Sequence, residues 1–110
     1  MACIFCEIVQ RRAGTALVYQ DDRVTAFRDV HPRAPTHLLV VPNQHIQSLA
    51  ELEDESLAGH LLNVTRQLAD ELKLERGYRV VTNVGPDAGQ SVFHLHFHLL
   101  GGRVMGWPPG

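Results

Sequence analysis

Between His94 and Leu99 the chain alternates strictly, reading His-Leu-His-Phe-His-Leu. A period of two belongs to a strand, where successive side chains point to opposite faces. Leu95, Phe97 and Leu99 then turn toward a core. His94, His96 and His98 gather on the other face, roughly 6.6 Å apart along the strand. The chain has seven His, and placing three of them at alternate positions of one strand concentrates titratable groups far beyond what a solvated face requires. Gly85-Pro86-Asp87-Ala88-Gly89-Gln90 precedes the run as a loop, whose backbone N–H groups could meet an anion. The spacing extends this last strand over 93–100, ended by Gly101-Gly102.

The remaining patterns build a frame for that strand. Apolar residues at helical spacing (Ile4, Phe5, Ile8, Val9) predict a helix over 3–12, stopped by Gly14. Leu17 to Gln20 and Val24 to Arg28 read as a hairpin around Asp21-Asp22-Arg23. Two prolines make 29–35 a loop, and His37 to Pro42 is a β-rich run. Ser48 and Glu51 have capping-box spacing. A longer helix over 53–74 carries one apolar stripe of Leu57, Leu61, Val64, Leu68 and Leu72. Acidic residues sit at its start, Lys73 and Arg76 near its end, and Gly77 stops it. Tyr78 to Asn83 reads as another strand. Most connections are too short for parallel crossovers. The expectation is an α+β domain with an antiparallel sheet and the helices segregated to one face.

At 110 residues the chain fits one domain, 1–110, with 103–110 as an irregular tail around Trp107-Pro108-Pro109. Net charge is −2, and the ten basic residues, nine of them Arg, form no stripe. This argues against nucleic acid as a partner. Leu38-Leu39-Val40-Val41 is the longest plain aliphatic run, too short to span a membrane. With no basic, apolar leader pattern at the start, a cytoplasmic location is expected.

Two chemistries fit the histidine run. A neutral imidazole, with a reference pKa of about 6.5, could attack phosphorus and form a covalent phospho-histidine while a neighbour protonates the leaving group. Alternatively, His-x-His plus a third His could hold a catalytic Zn²⁺. The only cysteines, Cys3 and Cys6, form a C-x-x-C pair. In a cytosolic chain without a βαβ context this suggests a metal site rather than a disulfide. A tetrahedral zinc would need two more ligands, and His45, His94, His37 and His31 are candidates.

The stretch Gly89-Gln90-Ser91-Val92-Phe93-His94-Leu95-His96-Phe97-His98-Leu99-Leu100-Gly101-Gly102-Arg103 resembles the signature of the histidine-triad (HIT) superfamily. The Gly-Gly-Arg after the triad and the terminal Trp-Pro-Pro-Gly resemble its Hint branch, the nucleoside phosphoramidases. Phe27-Arg28-Asp29, Ala34-Pro35-Thr36-His37 and Val41-Pro42-Asn43-Gln44-His45-Ile46 match as well. The resemblance covers nearly the whole chain. It implies a HIT-like fold, a five-stranded antiparallel sheet with two helices, paired into a homodimer. It implies a hydrolase that cleaves the P–N bond of a purine nucleoside 5′-phosphoramidate (AMP- or GMP-type). His96 is then the nucleophile, His98 contacts phosphate, Ser91 lies near the scissile bond and His37 supports the site. Asn83 holds phosphate or sugar and Asp29 the ribose hydroxyls. Gly89, Gln90 and Val92 contribute further nucleotide contacts, and Phe5, Ile8, Phe27, Val30 and Leu39 line the base pocket. It also implies a structural Zn²⁺, not required for catalysis, on Cys3, Cys6, His45 and His94. The rival expectation is a nucleotide-binding interaction module with weak hydrolysis.

Overall fold

The computed structural model describes residues 3–110. Helix α1 (Ile4–Val9) is followed by strands β1 (Leu17–Gln20), β2 (Val24–Arg28) and β3 (Thr36–Pro42). Helix α2 (Glu55–Glu71), β4 (Tyr78–Val81) and β5 (Phe97–Gly101) complete the chain. One-turn 3₁₀ helices at Leu49–Glu51 and Pro86–Ala88 lie in the connections. The strands form one sheet in the order β1-β2-β3-β5-β4, every neighbouring pair antiparallel. The expected five-stranded α+β architecture is therefore present.

The two helices do not share a face of the sheet. In an antiparallel register directly paired residues share a face. The row Phe27–Leu39–His98–Val81 thus runs across one side, and Ala26–Val40–Phe97 across the other. The second face packs against α2, in a core of Ala26, Leu38, Val40, Phe97 and Leu99 with Leu57, Leu61, Val64 and Leu68. The first face packs against α1, through Phe5, Ile8, Phe27, Leu39 and Val41. The physical reason is visible in β3, where every residue from His37 to Pro42 is buried. A continuous apolar run, unlike an alternating one, is covered on both faces.

Helix ends differ from the glycine-based expectation. Arg11 and Lys73 take the left-handed turns after α1 and α2, at φ 62° and 57°. Gly14 and Gly77 lie beyond them. Asp54 caps α2, its carboxylate accepting from the Leu57 N–H at 3.1 Å, as a short acidic side chain does at an N-cap. Ser48 likewise caps the 3₁₀ turn through the Ala50 N–H. Each buried Leu of the α2 stripe contributes roughly 1.5–3 kcal/mol from apolar surface removed from water.

β4 stops at Val81, short of Asn83, and β5 begins at Phe97, four residues later than expected. Before Phe97 the chain lies outside the ladder, whose last pair with β3 is Val40↔Phe97. Pro42 has no N–H to donate, and its carbonyl is taken by the His94 ring at 2.8 Å. The Leu95 N–H goes to the Ile46 carbonyl at 2.6 Å. The in–out alternation nonetheless survives, with Leu95, Phe97 and Leu99 in the α2-facing core. Gly101 and Gly102 close the strand for steric reasons. A Cβ at Gly101 would lie 2.8 Å from the Leu74 side chain. Gly102 has φ +93°, and a Cβ there would meet Pro35 at 2.9 Å.

Candidate active site and metal centre

The three triad rings serve three different neighbourhoods. His96 is buried, and its Nδ1 lies 2.8 Å from the His94 carbonyl oxygen. A carbonyl only accepts, so Nδ1 carries a proton, and in the neutral ring the lone pair is on Nε2. The Phe5 ring meets the His96 ring edge-on, with centroids 5.1 Å apart. The His98 ring lies 5.0 Å from that of His96, closer than the backbone spacing alone suggested.

His98 ends a chain of oriented imidazoles. The Arg33 N–H donates to His37 Nδ1 at 2.9 Å. The proton of neutral His37 is therefore on Nε2, which donates to His98 Nδ1 at 2.9 Å. That leaves His98 with its proton on Nε2. Burial, helped by the neighbouring His96 and His37, pushes His98 down to about 4, against the opposing pull of Asp29. Burial also lowers His37. Both rings are thus neutral near pH 7, and His98 presents an N–H donor without carrying a full charge. Asp29 Oδ2 stands 3.4 Å from His37 Nε2, while its Oδ1 accepts from the His31 N–H at 2.8 Å. Asp29, His37 and His98 could be read as a cation seat, but a cation on His37 Nε2 would move the ring proton to Nδ1. There it would face the Arg33 N–H, donor against donor. The cluster fits proton positioning better.

Phe5, Ile8, Phe27 and Leu39 belong to one buried cluster with Val41, and Val92 packs against it. Val30 does not join them, being 82% exposed. Ser91 is exposed, and Asn83 is half-buried just past β4. The buried Gln90 uses its side chain structurally. Its oxygen accepts from the Gly85 N–H, and its amide nitrogen donates to the Gln47 and Val92 carbonyls. Any ligand contact from Gln90 falls to its backbone, and Gly89, at φ 84°, forms the turn beside it.

His94 faces the cysteines. Cys3, Cys6, His45 and His94 bring four ligand atoms into one cluster. Cys3 Sγ to His94 Nδ1 is 3.4 Å, Cys6 Sγ to His94 Nδ1 3.6 Å, and Cys6 Sγ to His45 Nδ1 3.4 Å. With Zn–S of about 2.3 Å and Zn–N of about 2.05 Å, tetrahedral S and N ligands sit about 3.6 Å apart. The donor set fits zinc in tautomer too. The Pro42 carbonyl takes the His94 Nε2 proton, freeing Nδ1, which is the usual outer-sphere arrangement of a metal-bound His. Burial and the adjacent Cys3 push the Cys6 thiol up to about 11, with a smaller push from Glu7. The Cys6 thiolate is favoured only when a cation compensates it. Zinc held by all three triad histidines does not fit this geometry, because both nitrogens of His94 are engaged elsewhere, Nδ1 at the cysteines and Nε2 at the Pro42 carbonyl.

The tautomer-setting groups were not legible in the sequence. The carbonyls of His94 and Pro42 and the N–H of Arg33 are backbone, and residue type does not encode them. No helix among the described residues is long and apolar enough to cross a membrane.

Comparison with known proteins agrees with this geometry. The HIT domain family model matches residues 10–105. A 14 kDa zinc-binding protein of Zea mays is 47% identical over 97% of this chain and 87% of its own. A HIT family hydrolase from Legionella pneumophila superposes with a TM-score of 0.96 at 45% identity, covering 99% of this chain and all of the other. A histidine triad nucleotide-binding protein from Candida albicans gives 0.85 at 31% identity, over 97% of this chain and 83% of the other. The alternating histidines, the five-stranded sheet and these matches coincide along almost the whole length, and the chain belongs to the HIT family.

Proposed function

We propose that this protein is a nucleoside phosphoramidase of the Hint type, with His96 as nucleophile. The observation that carries the reading is the His96 tautomer. Its Nδ1–H is held by the His94 carbonyl, so in the neutral ring the lone pair that attacks is on Nε2. Attack on the α-phosphorus of a purine nucleoside 5′-phosphoramidate forms an Nε2–P bond and breaks the P–N bond. The amine leaves with one proton taken from solvent, and the later hydrolysis step returns one. The ring then carries positive charge, which the carbonyl dipole at Nδ1–H stabilises. His98 donates its Nε2–H to a phosphate oxygen, oriented through His37 from the Arg33 N–H. Water next cleaves the Nε2–P bond, releasing nucleoside monophosphate and restoring His96.

In this reading the base packs on the apolar cluster of Phe5, Ile8, Phe27 and Leu39. Asp29 accepts from the ribose hydroxyls, Asn83 holds phosphate or sugar, and Ser91 donates near the scissile bond. Val30, Gly89, Gln90 and Val92 complete the contacts, Gln90 through its backbone. Zinc on Cys3, Cys6, His45 and His94 is structural, because none of these side chains faces the phosphorus in this reading. It ties α1 to the segment that carries His96. Pairing into a homodimer is supported by β4, an edge strand with Tyr78 and Val80 exposed at 43% and 38%. Such edges are normally covered.

The test is AMP release from adenosine 5′-phosphoramidate by wild type beside His96→Ala. Turnover lost in the variant is the expected result. Tight AMP binding without turnover by folded wild type would replace this reading with a nucleotide-binding module.

A further inference from the structure

We propose that Thr82 is a positioning residue for the nucleophile; this rests on the phosphoramidase reading given above. The Thr82 hydroxyl donates to the main-chain carbonyl of His96 at 2.8 Å. Two features of the fold make that bond more than a strand-end ornament.

The first is where it lies. The β4–β5 ladder runs from Tyr78↔Gly101 to Val81↔His98 and ends there. His94, Leu95 and His96 lie outside regular strand, so the nucleophile sits on the first residues beyond the sheet. Thr82, the residue after β4, replaces the missing ladder with a side chain. The second is what else holds this segment. On the β3 side, the Leu95 N–H bonds to the Ile46 carbonyl and the His94 ring to the Pro42 carbonyl. Thr82 supplies the tie from the β4 side, and it acts on His96 itself. His96 is then fixed at two points, its carbonyl by Thr82 and its ring Nδ1–H by the His94 carbonyl. Asn83 follows directly in the chain, so one residue sets the distance between the nucleophile and a group assigned to the phosphate or sugar.

In-line attack is sensitive to placement of the reacting atoms, and a displacement of about 1 Å can cost about a hundredfold. Thr82→Val keeps the shape and the branched Cβ but removes the donor. Nucleotide contacts stay in place, so the effect falls on kcat and not on KM. Thr82→Ser restores the donor.

The experiment measures kcat and KM for adenosine 5′-phosphoramidate in wild type, Thr82→Val and Thr82→Ser. It also records ¹⁵N spectra of histidine-labelled protein without substrate. The expected result is a kcat lower by about tenfold in Thr82→Val with KM within about twofold, recovery in Thr82→Ser, and loss of the persistent His96 Nδ1–H signal in the Val variant alone. Unchanged kcat in Thr82→Val, or a loss that Thr82→Ser does not recover, overturns the proposal. If wild type itself shows no turnover, the phosphoramidase reading has failed separately. The spectra then decide alone: an unaltered His96 tautomer in Thr82→Val overturns the positioning role, and an altered one sustains it.

Discussion

Replacing His37 by Phe tests the imidazole chain most directly. His37 is buried, accepts from the Arg33 N–H and donates to His98 Nδ1. Phe fills similar space and does neither. The Arg33 side of the loss is mild, because that residue is exposed and water can take the N–H. The His98 side is costly, since its half-buried Nδ1 loses its donor. A buried polar atom left unpaired costs about 1–3 kcal/mol. The ring escapes this cost by turning, and turning takes its Nε2–H away from the phosphate. At about 1.4 kcal/mol per decade, the productive orientation then falls roughly 5- to 150-fold, and kcat/KM for adenosine 5′-phosphoramidate falls with it. His98 should also titrate above its position near 4, because one of the neighbours holding it down is gone. The assay pairs AMP release with an NMR titration of His98 in protein shown to be folded by its thermal midpoint. A kcat/KM within twofold of wild type, with His98 titration unmoved, would refute the relay.

Two other outcomes follow from the same geometry. Removing metal with a chelator should lower the thermal midpoint. α1 has only six helical residues and is held by Phe5, Ile8 and the Cys3–Cys6–His45–His94 cluster, and so short a helix does not persist unaided. Turnover well below the new midpoint should stay within a few-fold, and its abolition there would make the metal part of the chemistry. Stability should also fall as pH drops from about 6.5 toward 4. His98 and His37 both have folded pKa values below the ordinary value, so the unfolded chain binds more protons in that window. Below it a second loss should begin at Asp21. Burial works to raise that carboxyl, but bonds from the Tyr19 hydroxyl, His60 and the Arg23 and Val24 N–H groups hold it well under the usual carboxylate range. Urea unfolding across this range reads both stages, and a midpoint that stays flat from pH 6.5 to 4 would contradict the neutral buried histidines.

The sequence by itself determined the elements and most of the residue sets. Alternation at 94–99 predicted which side chains enter the core, and Leu95, Phe97 and Leu99 do. The stripe from Leu57 to Leu68 predicted the buried face of α2. Phe5, Ile8, Phe27 and Leu39 lie in one cluster, and Cys3, Cys6, His45 and His94 bring their ligand atoms together. The strand alternation and the helix stripe are carried by side-chain type at fixed spacing, so they can be read in one dimension, whereas the two residue sets were implied by the family resemblance.

Tertiary structure decided where the sheet ends, which face each helix covers and which nitrogen of each ring holds the proton. The early end of the β3–β5 ladder depends on Pro42 meeting His94 across 52 positions. The separation of α1 and α2 onto opposite faces follows from β3 being buried on both sides. The tautomers of His37, His94, His96 and His98 are set by backbone carbonyls, one N–H and a neighbouring ring. Every residue offers a backbone carbonyl and, proline aside, an N–H, so only the folded path of the chain selects the ones that orient a catalytic imidazole.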